Sequence, residues 1–333
     1  MTEPARGSAL RRAGRLLRWL LIAGLLCPAL ALTTLRLWQP LDDRGIRLVA
    51  LTPLALPLYA AALLLAVVPV LRRRGRTSHA LPALLAAAGL ALHAWWFVPQ
   101  VAGDSPSPAA GAPVLTVLTA NMLAGGGDGA ALVRAARDDH VDVLVVEEVT
   151  PGEVARMQGA GLGELFAHRA GSAEPGVHGT MVFSRLPLTG AVRLPTRFGC
   201  WRVRVGDDVS LLAAHAYAPT GPGAWREDHA MILASVRADP PDLVAGDLNA
   251  TVDHAPLRRL RDEGFRDVVE LDNDGWQPTW PANHLSRSLG IALPPLAQID
   301  HVLVGPSMAA VASRTIRIAG TDHLALLARV ARR

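Results

Sequence analysis

Asp247-Leu248-Asn249 follows Gly246 at the end of the apolar stretch Asp242-Leu243-Val244-Ala245, which places a carboxylate and a carboxamide where a strand meets a loop. An Asp there can bind or orient a metal-activated water. The Asn two residues on faces the same way and can hydrogen-bond a phosphate oxygen or that Asp. Further strand ends carry matching groups in a fixed order. Asn121 closes the run from Val114, Glu148 the run from Val141, and His215 the run from Leu211. Asp300 sits at the head of Ile299 to Val304, and Asp322-His323 precedes Leu324 to Val330. Loops at strand ends are where α/β enzymes gather their chemistry. Phosphate esters resist attack because negative oxygens screen the phosphorus, so hydrolysis needs a cation on those oxygens, an activated water and a route for leaving-group charge. Glu148 is the chosen metal anchor: one or two carboxylates plus waters suit Mg²⁺, with Mn²⁺ as substitute, and the sequence has no Cys/His cluster of the zinc type.

These groups need a scaffold. Apolar strand-like runs alternate with amphipathic stretches such as Ala130 to Asp138 and Ala224 to Arg237, the pattern of an α/β domain. Gly125-Gly126-Gly127-Asp128-Gly129 lacks the Gly-Lys-Ser/Thr ending of a phosphate loop and reads as a flexible loop. Glu147, next to Glu148 on a strand, is expected on the opposite face as a capped or solvated acid.

The order Asn121, Glu148, His215, Gly246-Asp247-x-Asn249, Ile299-Asp300, Asp322-His323 resembles the endonuclease/exonuclease/phosphatase superfamily over about residues 114 to 330. The resemblance implies a four-layer α/β sandwich, two mixed sheets flanked by helices. It implies Glu148 as Mg²⁺ ligand, with Asn121 and Asp322 supporting the metal. Asp247 and Asn249 then support metal and phosphate, and Asp300 pairs with His323. Water activation falls jointly to Asp247 and His323. His215 would meet the scissile phosphate or leaving oxygen, although a second alignment puts Tyr217 there. Arg185, in a recurrent family stretch, and Trp280, in Pro278-Thr279-Trp280, are the remaining substrate-side candidates. The chain departs from the family pattern at Leu123, where many nucleases have an acid that would bear on a second metal, and at Glu147, where the family usually has Gln. The Trp-x-Gly-Asp and Pro-Ala-Trp-Cys-Asp-Arg motifs of inositol phosphatases are missing.

Three nearly charge-free apolar stretches, about 19–35, 48–71 and 79–98, are each long enough to cross a bilayer core, which makes 1–100 a membrane anchor of three transmembrane helices. Arginines cluster in the first tail (Arg6, Arg11, Arg12, Arg15, Arg18) and in Arg72, Arg73, Arg74 and Arg76. Basic flanks stay cytoplasmic, so the domain at 114–333 is expected outside the cytoplasmic membrane, beyond a Pro/Ser/Ala linker at 101–113. Cleavage after Ala29-Leu30-Ala31 is an alternative fate for the first segment and leaves the later topology unchanged. Of the chain's net charge of +4, residues 1–100 hold +9, from twelve arginines and three acids, and residues 101–333 hold −5. An acidic domain argues against tight nonspecific binding to nucleic acid, whose affinity comes mainly from Lys and Arg. Two cysteines, Cys27 and Cys200, exclude a disulfide framework.

The sequence thus reads as a Mg²⁺-dependent phosphoesterase acting on nucleic acid, phospholipid or a small phosphoester. The bilayer is its other partner, and no obligate protein partner is inferred. The rival reading is a catalytically silent, membrane-anchored binding or sensor module with the same fold.

Overall fold

Alternate residues along the central strands face different cores, and that alternation builds the layers. In the computed structural model, which describes residues 3–71, 76–273, 275–285, 287–288 and 291–333, one sheet has the order β13 (Met308–Arg317), β14 (Leu324–Arg332), β1 (Val114–Asn121), β2 (Val143–Glu147), β4 (Thr180–Ser184), β3 (His168–Ser172). The other has the order β5 (Leu188–Arg193), β6 (Cys200–Val205), β7 (Val209–Ala214), β8 (Leu243–Asp247), β12 (Asp300–Val304), β9 (Arg266–Asp267). A short hairpin pairs β10 (Arg287–Ser288) with β11 (Ile291–Ala292). Both large sheets are mixed, since β1 with β2 and β7 with β8 are parallel within otherwise antiparallel ladders.

Val143 and Val145 of β2 meet Leu211, Ala213, Leu243, Ala245 and Val302 in a core between the sheets. Leu144 and Val146 turn the other way, under Leu132, Ala136 and Met157 of the helices Gly129–Asp138 and Pro151–Gly159. On the second sheet Leu212, Val244 and Leu303 do likewise under Trp225, Ile232, Leu257 and Leu260 of Pro222–Ala238 and Ala255–Asp262. The expected arrangement of helices, sheet, sheet, helices is therefore what is found. Asp128 and Thr150 start the first two helices by accepting from the backbone N–H groups of Ala131 and Glu153.

Contacts divide the chain into two units, one of residues up to Pro40 with Arg47–Val98, the other of Leu41–Ile46 with Pro99–Arg333. In the first, three helices among the described residues are long and apolar enough to cross a membrane: Arg12–Trp38, Thr52–Leu71 and Ser78–Phe97, of 27, 20 and 20 residues. The second apolar run is not one uninterrupted α-helix. Its start, Leu48 and Val49, ends the helix Asp43–Val49, and a 3₁₀ turn at Thr52–Leu54 containing Pro53 leads into Ala55–Leu71. One residue from each helix joins a polar contact: Thr33 Oγ1 lies 2.8 Å from the Tyr59 hydroxyl and 2.9 Å from His93 Nε2. Tyr59 packs so closely on Gly89 that a Cβ there would fall 2.4 Å from the ring. Arg72, Arg73 and Arg74 lie outside the described residues, as do the side chains of Arg6, Arg11 and Arg76.

Within the second unit the Pro/Ser/Ala stretch is hydrogen-bonded along its length. Gly103 N donates to Asn273 Oδ1 (2.6 Å), Arg266 donates to Asp104 O (2.7 Å), and Ala109 N donates to Arg332 O (2.9 Å).

Candidate active site

The last residue of β8, Asp247, stands directly opposite the first of β12, Asp300. Like charges facing each other across strands repel, so this register is costly unless positive charge joins them. His323, just ahead of β14, brings its Nδ1 within 2.9 Å of Asp300 Oδ2, while its Nε2 lies 3.9 Å from both Asp247 Oδ2 and Asp322 Oδ1. Asn121 closes the other side, its Nδ2 donating to Asp247 Oδ2 at 3.0 Å and to Glu148 Oε1 at 3.2 Å. Glu148 reaches the cluster through an unusual backbone. Its φ of 52° breaks the strand alternation after Glu147, and Ala124 N steadies its Oε2 at 2.8 Å. Asn249, with φ of 47°, is the second left-handed residue at a strand end. Non-glycine residues in this region cost energy and persist where their surroundings over-determine them.

Burial and the neighbouring charge of Asp300 push the Asp247 carboxyl up to about 7. Burial also raises Glu148. For His323, burial acts to lower the pKa, but the charges of Asp300, Asp247 and Asp322 and the Asp300 hydrogen bond outweigh it and raise the imidazole to about 10. Burial lowers His215 to about 3, leaving that ring neutral. The cluster is thus rich in acid and short of cation. Among the described residues, buried Asp300 Oδ1 and Asp322 Oδ1 have no hydrogen-bond partner, and ligand atoms of Asp247, Asp300 and His323 lie within 4.8 Å of one another. Converging carboxylate oxygens with unused lone pairs fit a hard divalent cation.

The residues expected from sequence distribute as follows. His215 is in the centre, its Nε2 3.8 Å from Asp247 Oδ2 and 4.0 Å from Glu148 Oε1, and among the described residues neither ring nitrogen has a hydrogen-bond partner. Tyr217 lies one layer out, stacked on Phe198 (4.7 Å), which in turn packs on His215 (4.6 Å). Asn249 spends its amide hydrogens on Ala216 O (3.0 Å) and Asp247 Oδ2 (3.3 Å), so it holds Asp247 in place. Trp280 donates its indole N–H to Asp322 Oδ2 at 2.9 Å and thereby orients that acid.

Asn121 presents its amide hydrogens to the Asp247 and Glu148 carboxylates, and its oxygen accepts from Leu123 N at 2.9 Å. Two expectations are corrected. Arg185 is not at the site: Ser184 pairs with Val143 and Thr180 with Glu147, so the exposed Arg185 follows the far end of β4, four residues of strand or about 13 Å away. Glu147 is neither capped at the surface nor solvated. It is fully buried beneath the cluster, accepts from Thr119 Oγ1 at 2.7 Å, and burial pushes it up to about 8.

Sequence reasoning missed Thr279, whose Oγ1 accepts from both Ile299 N and Asp300 N (3.2 Å each) and so sets the start of β12. It also missed Thr321, which donates to Asn121 O at 2.7 Å and ties the His323 turn to β1. His178 is exposed and edge-on to Phe198 at 5.3 Å. A small hydroxyl residue gives no periodic signal, and only its position beside a named motif could have marked it.

The family model described as Endonuclease/Exonuclease/phosphatase family matches residues 118–323. Solved structures share the fold at low identity. An endonuclease/exonuclease/phosphatase family protein from Bacteroides thetaiotaomicron is 14% identical with a TM-score of 0.52, covering 68% of this chain and 100% of its own. An AP endonuclease from Archaeoglobus fulgidus is 13% identical with a TM-score of 0.54, covering 64% of this chain and 98% of its own. TDP2 from D. rerio, complexed with a single-strand DNA product, is 15% identical with a TM-score of 0.52, covering 65% and 98%. No curated protein matches.

Proposed function

The chain belongs to the endonuclease/exonuclease/phosphatase family, whose members are metal-dependent phosphoester hydrolases, and from that premise we propose that it is a Mg²⁺-dependent phosphoesterase working on the outer side of the cytoplasmic membrane. The observation that carries the reading is the convergence of Asp247, Asp300 and His323. Mg²⁺, or Mn²⁺ in its place, held by Glu148 and the Asp247/Asp300 pair with Asp322 alongside, would supply positive charge to the phosphate oxygens.

The protein groups do the rest. Asp247, fixed by Asn121 and Asn249, orients the attacking water. The His323 imidazole, its Nδ1 held by Asp300, turns Nε2 toward the reaction centre, where it takes the water's proton when neutral or holds a phosphoryl oxygen when charged. His215, neutral and buried, offers a ring N–H to the phosphate or the leaving oxygen.

The −5 of residues 101–333 gives little attraction to a polyphosphate backbone, which with the membrane tether favours a phospholipid or small phosphoester. The outer placement is supported by the arginine asymmetry of the anchor. Leu41–Ile46, between the first two candidate spans, shares a unit with Pro99–Arg333, which agrees with three spans putting these two segments on one side and leaves the choice of side to the arginines.

The test is turnover of bis-nitrophenyl phosphate by the full chain with Mg²⁺ and with chelator. Hydrolysis abolished by chelator and restored by Mg²⁺ is expected. A folded protein without turnover, or a rate indifferent to chelator, would sink the reading. A screen of phospholipids, sugar phosphates, DNA and RNA then selects the substrate.

A further inference from the structure

We propose that Leu41–Ile46, the segment between the first two candidate spans, is a working part of the catalytic unit, locking the loop that carries Asn249 and so holding Asp247 in its reactive geometry. The inference rests on the phosphoesterase reading above and names a control on that site.

The loop after β8 is under strain at Asn249 (φ 47°) and needs outside support. Three buried side chains supply it. Trp225 Nε1 donates to Asn249 O at 2.9 Å, and His301 Nε2 lies 2.8 Å from Ala250 O, its Nδ1 turned to Asp267. His254 is the third. Its Nδ1 accepts from Thr251 N at 2.9 Å, so the ring proton must sit on Nε2, which then donates to Ile46 O at 2.8 Å. Trp225 and His301 find their partners inside Pro99–Arg333, whereas the acceptor for His254 comes from 208 residues earlier in the chain. Ile46, 1% exposed, also fills the apolar cluster containing Trp225 and Leu257. Asp42 fixes the segment's own turn by accepting from Gly45 N at 2.9 Å.

Displacing the Leu41–Ile46 backbone leaves a buried donor on His254 unmatched, and trimming the Ile46 side chain leaves a gap beside Trp225 that lets that backbone shift. Both faults fall on the loop whose Asn249 N and Nδ2 hold Asp247. Ile46 is a positioning residue, and the chain on either side of Leu41–Ile46 leads to the candidate spans ending at Trp38 and beginning at Thr52, so these spans are covalently continuous with a support of the reaction centre.

The experiment uses the full chain in lipid nanodiscs and compares wild type with Ile46→Ala, Ile46→Val and, in the core of the other unit, Ile22→Ala. Ile46→Ala should lower kcat on bis-nitrophenyl phosphate about tenfold with little change in KM, since small misplacements of reacting groups have effects of that order or larger. Amide hydrogen exchange at Thr251 and His254 should quicken while β8 and β12 stay protected. Ile46→Val should restore both readouts, and Ile22→Ala should leave both unchanged. Unaltered protection of 249–254 in Ile46→Ala overturns the proposal. An equal loss of protection across β8 and β12 overturns it too, because Ile46 would then be an ordinary core residue. An inactive wild type counts against the phosphoesterase reading, and the exchange result still decides this one.

Discussion

Glu148→Gln and Asp247→Asn keep the shape of a side chain while removing its charge, so each isolates what the carboxylate contributes. Both should lower turnover roughly a hundredfold or more, the scale of a group acting in the transition state, with an unchanged circular dichroism spectrum. A folded variant with near-normal activity would remove that residue from the mechanism. Glu147 makes a different prediction, because it is an acid whose folded pKa is raised from 4.5 to about 8 by burial. The fold keeps its proton where the unfolded chain loses it, so stability is greatest below about pH 4.5 and falls as pH climbs to about 8. Glu147→Gln retains an acceptor for Thr119 and cannot ionise. In chelator, its melting temperature should differ little from wild type at about pH 4.5 and exceed it by a few degrees at pH 8 and above, read by calorimetry. Superimposable curves would mean that Glu147 ionises freely in the fold.

The strands tie these residues together, and one glycine shows how tightly. At Gly246, with φ of 142°, a Cβ would lie 2.1 Å from Ala214 O and 2.9 Å from Glu147 Oε1. The nearer obstacle is backbone and cannot rotate away. Gly246→Ala should therefore cost about 3 kcal/mol or more in urea unfolding, and a loss below about 1 kcal/mol would contradict the packing argument. Arg185→Ala, at the remote end of β4, should leave kcat/KM within about twofold, as expected of an exposed side chain remote from the cluster. The sequence made Asp247, Asp300, His323 and His215 legible because each closes or opens an apolar run, and a strand end is a place that pattern can mark. It could not show which end of β4 meets Glu147, since an antiparallel pairing reverses the order and carries Arg185 away from the chemistry. Nor could it show Glu148 turned back toward the cluster, because a φ of 52° has no periodic trace. The partner of His254 was hidden for a third reason: its acceptor is a backbone carbonyl, which every residue possesses.

At the scale of the whole molecule, three candidate spans fix the parity of the topology and the arginines choose its hand. A reporter active only outside the cytoplasm should be active when fused after Arg333 and silent when inserted between Arg72 and Ser78. The reverse pattern would place the catalytic unit inside. The four-layer architecture and the strand-end chemistry were readable at this scale, whereas the inclusion of Leu41–Ile46 in the catalytic unit was not, since hydropathy marks that segment only as the gap between two apolar runs. The first sheet carries one more consequence. Its earliest strand, β1, pairs with its latest, β14, from Val114 against Ala331 to Thr119 against Leu326. Asn121 leaves the first of these strands and His323 leads into the second, so the two halves of the reaction centre are made at opposite ends of the domain's synthesis. Such distant pairing forms late in folding. While the ribosome is still extending the domain, the chain has its acids but not the histidine expected to work with them, so the assembled cluster has to wait for the final strand.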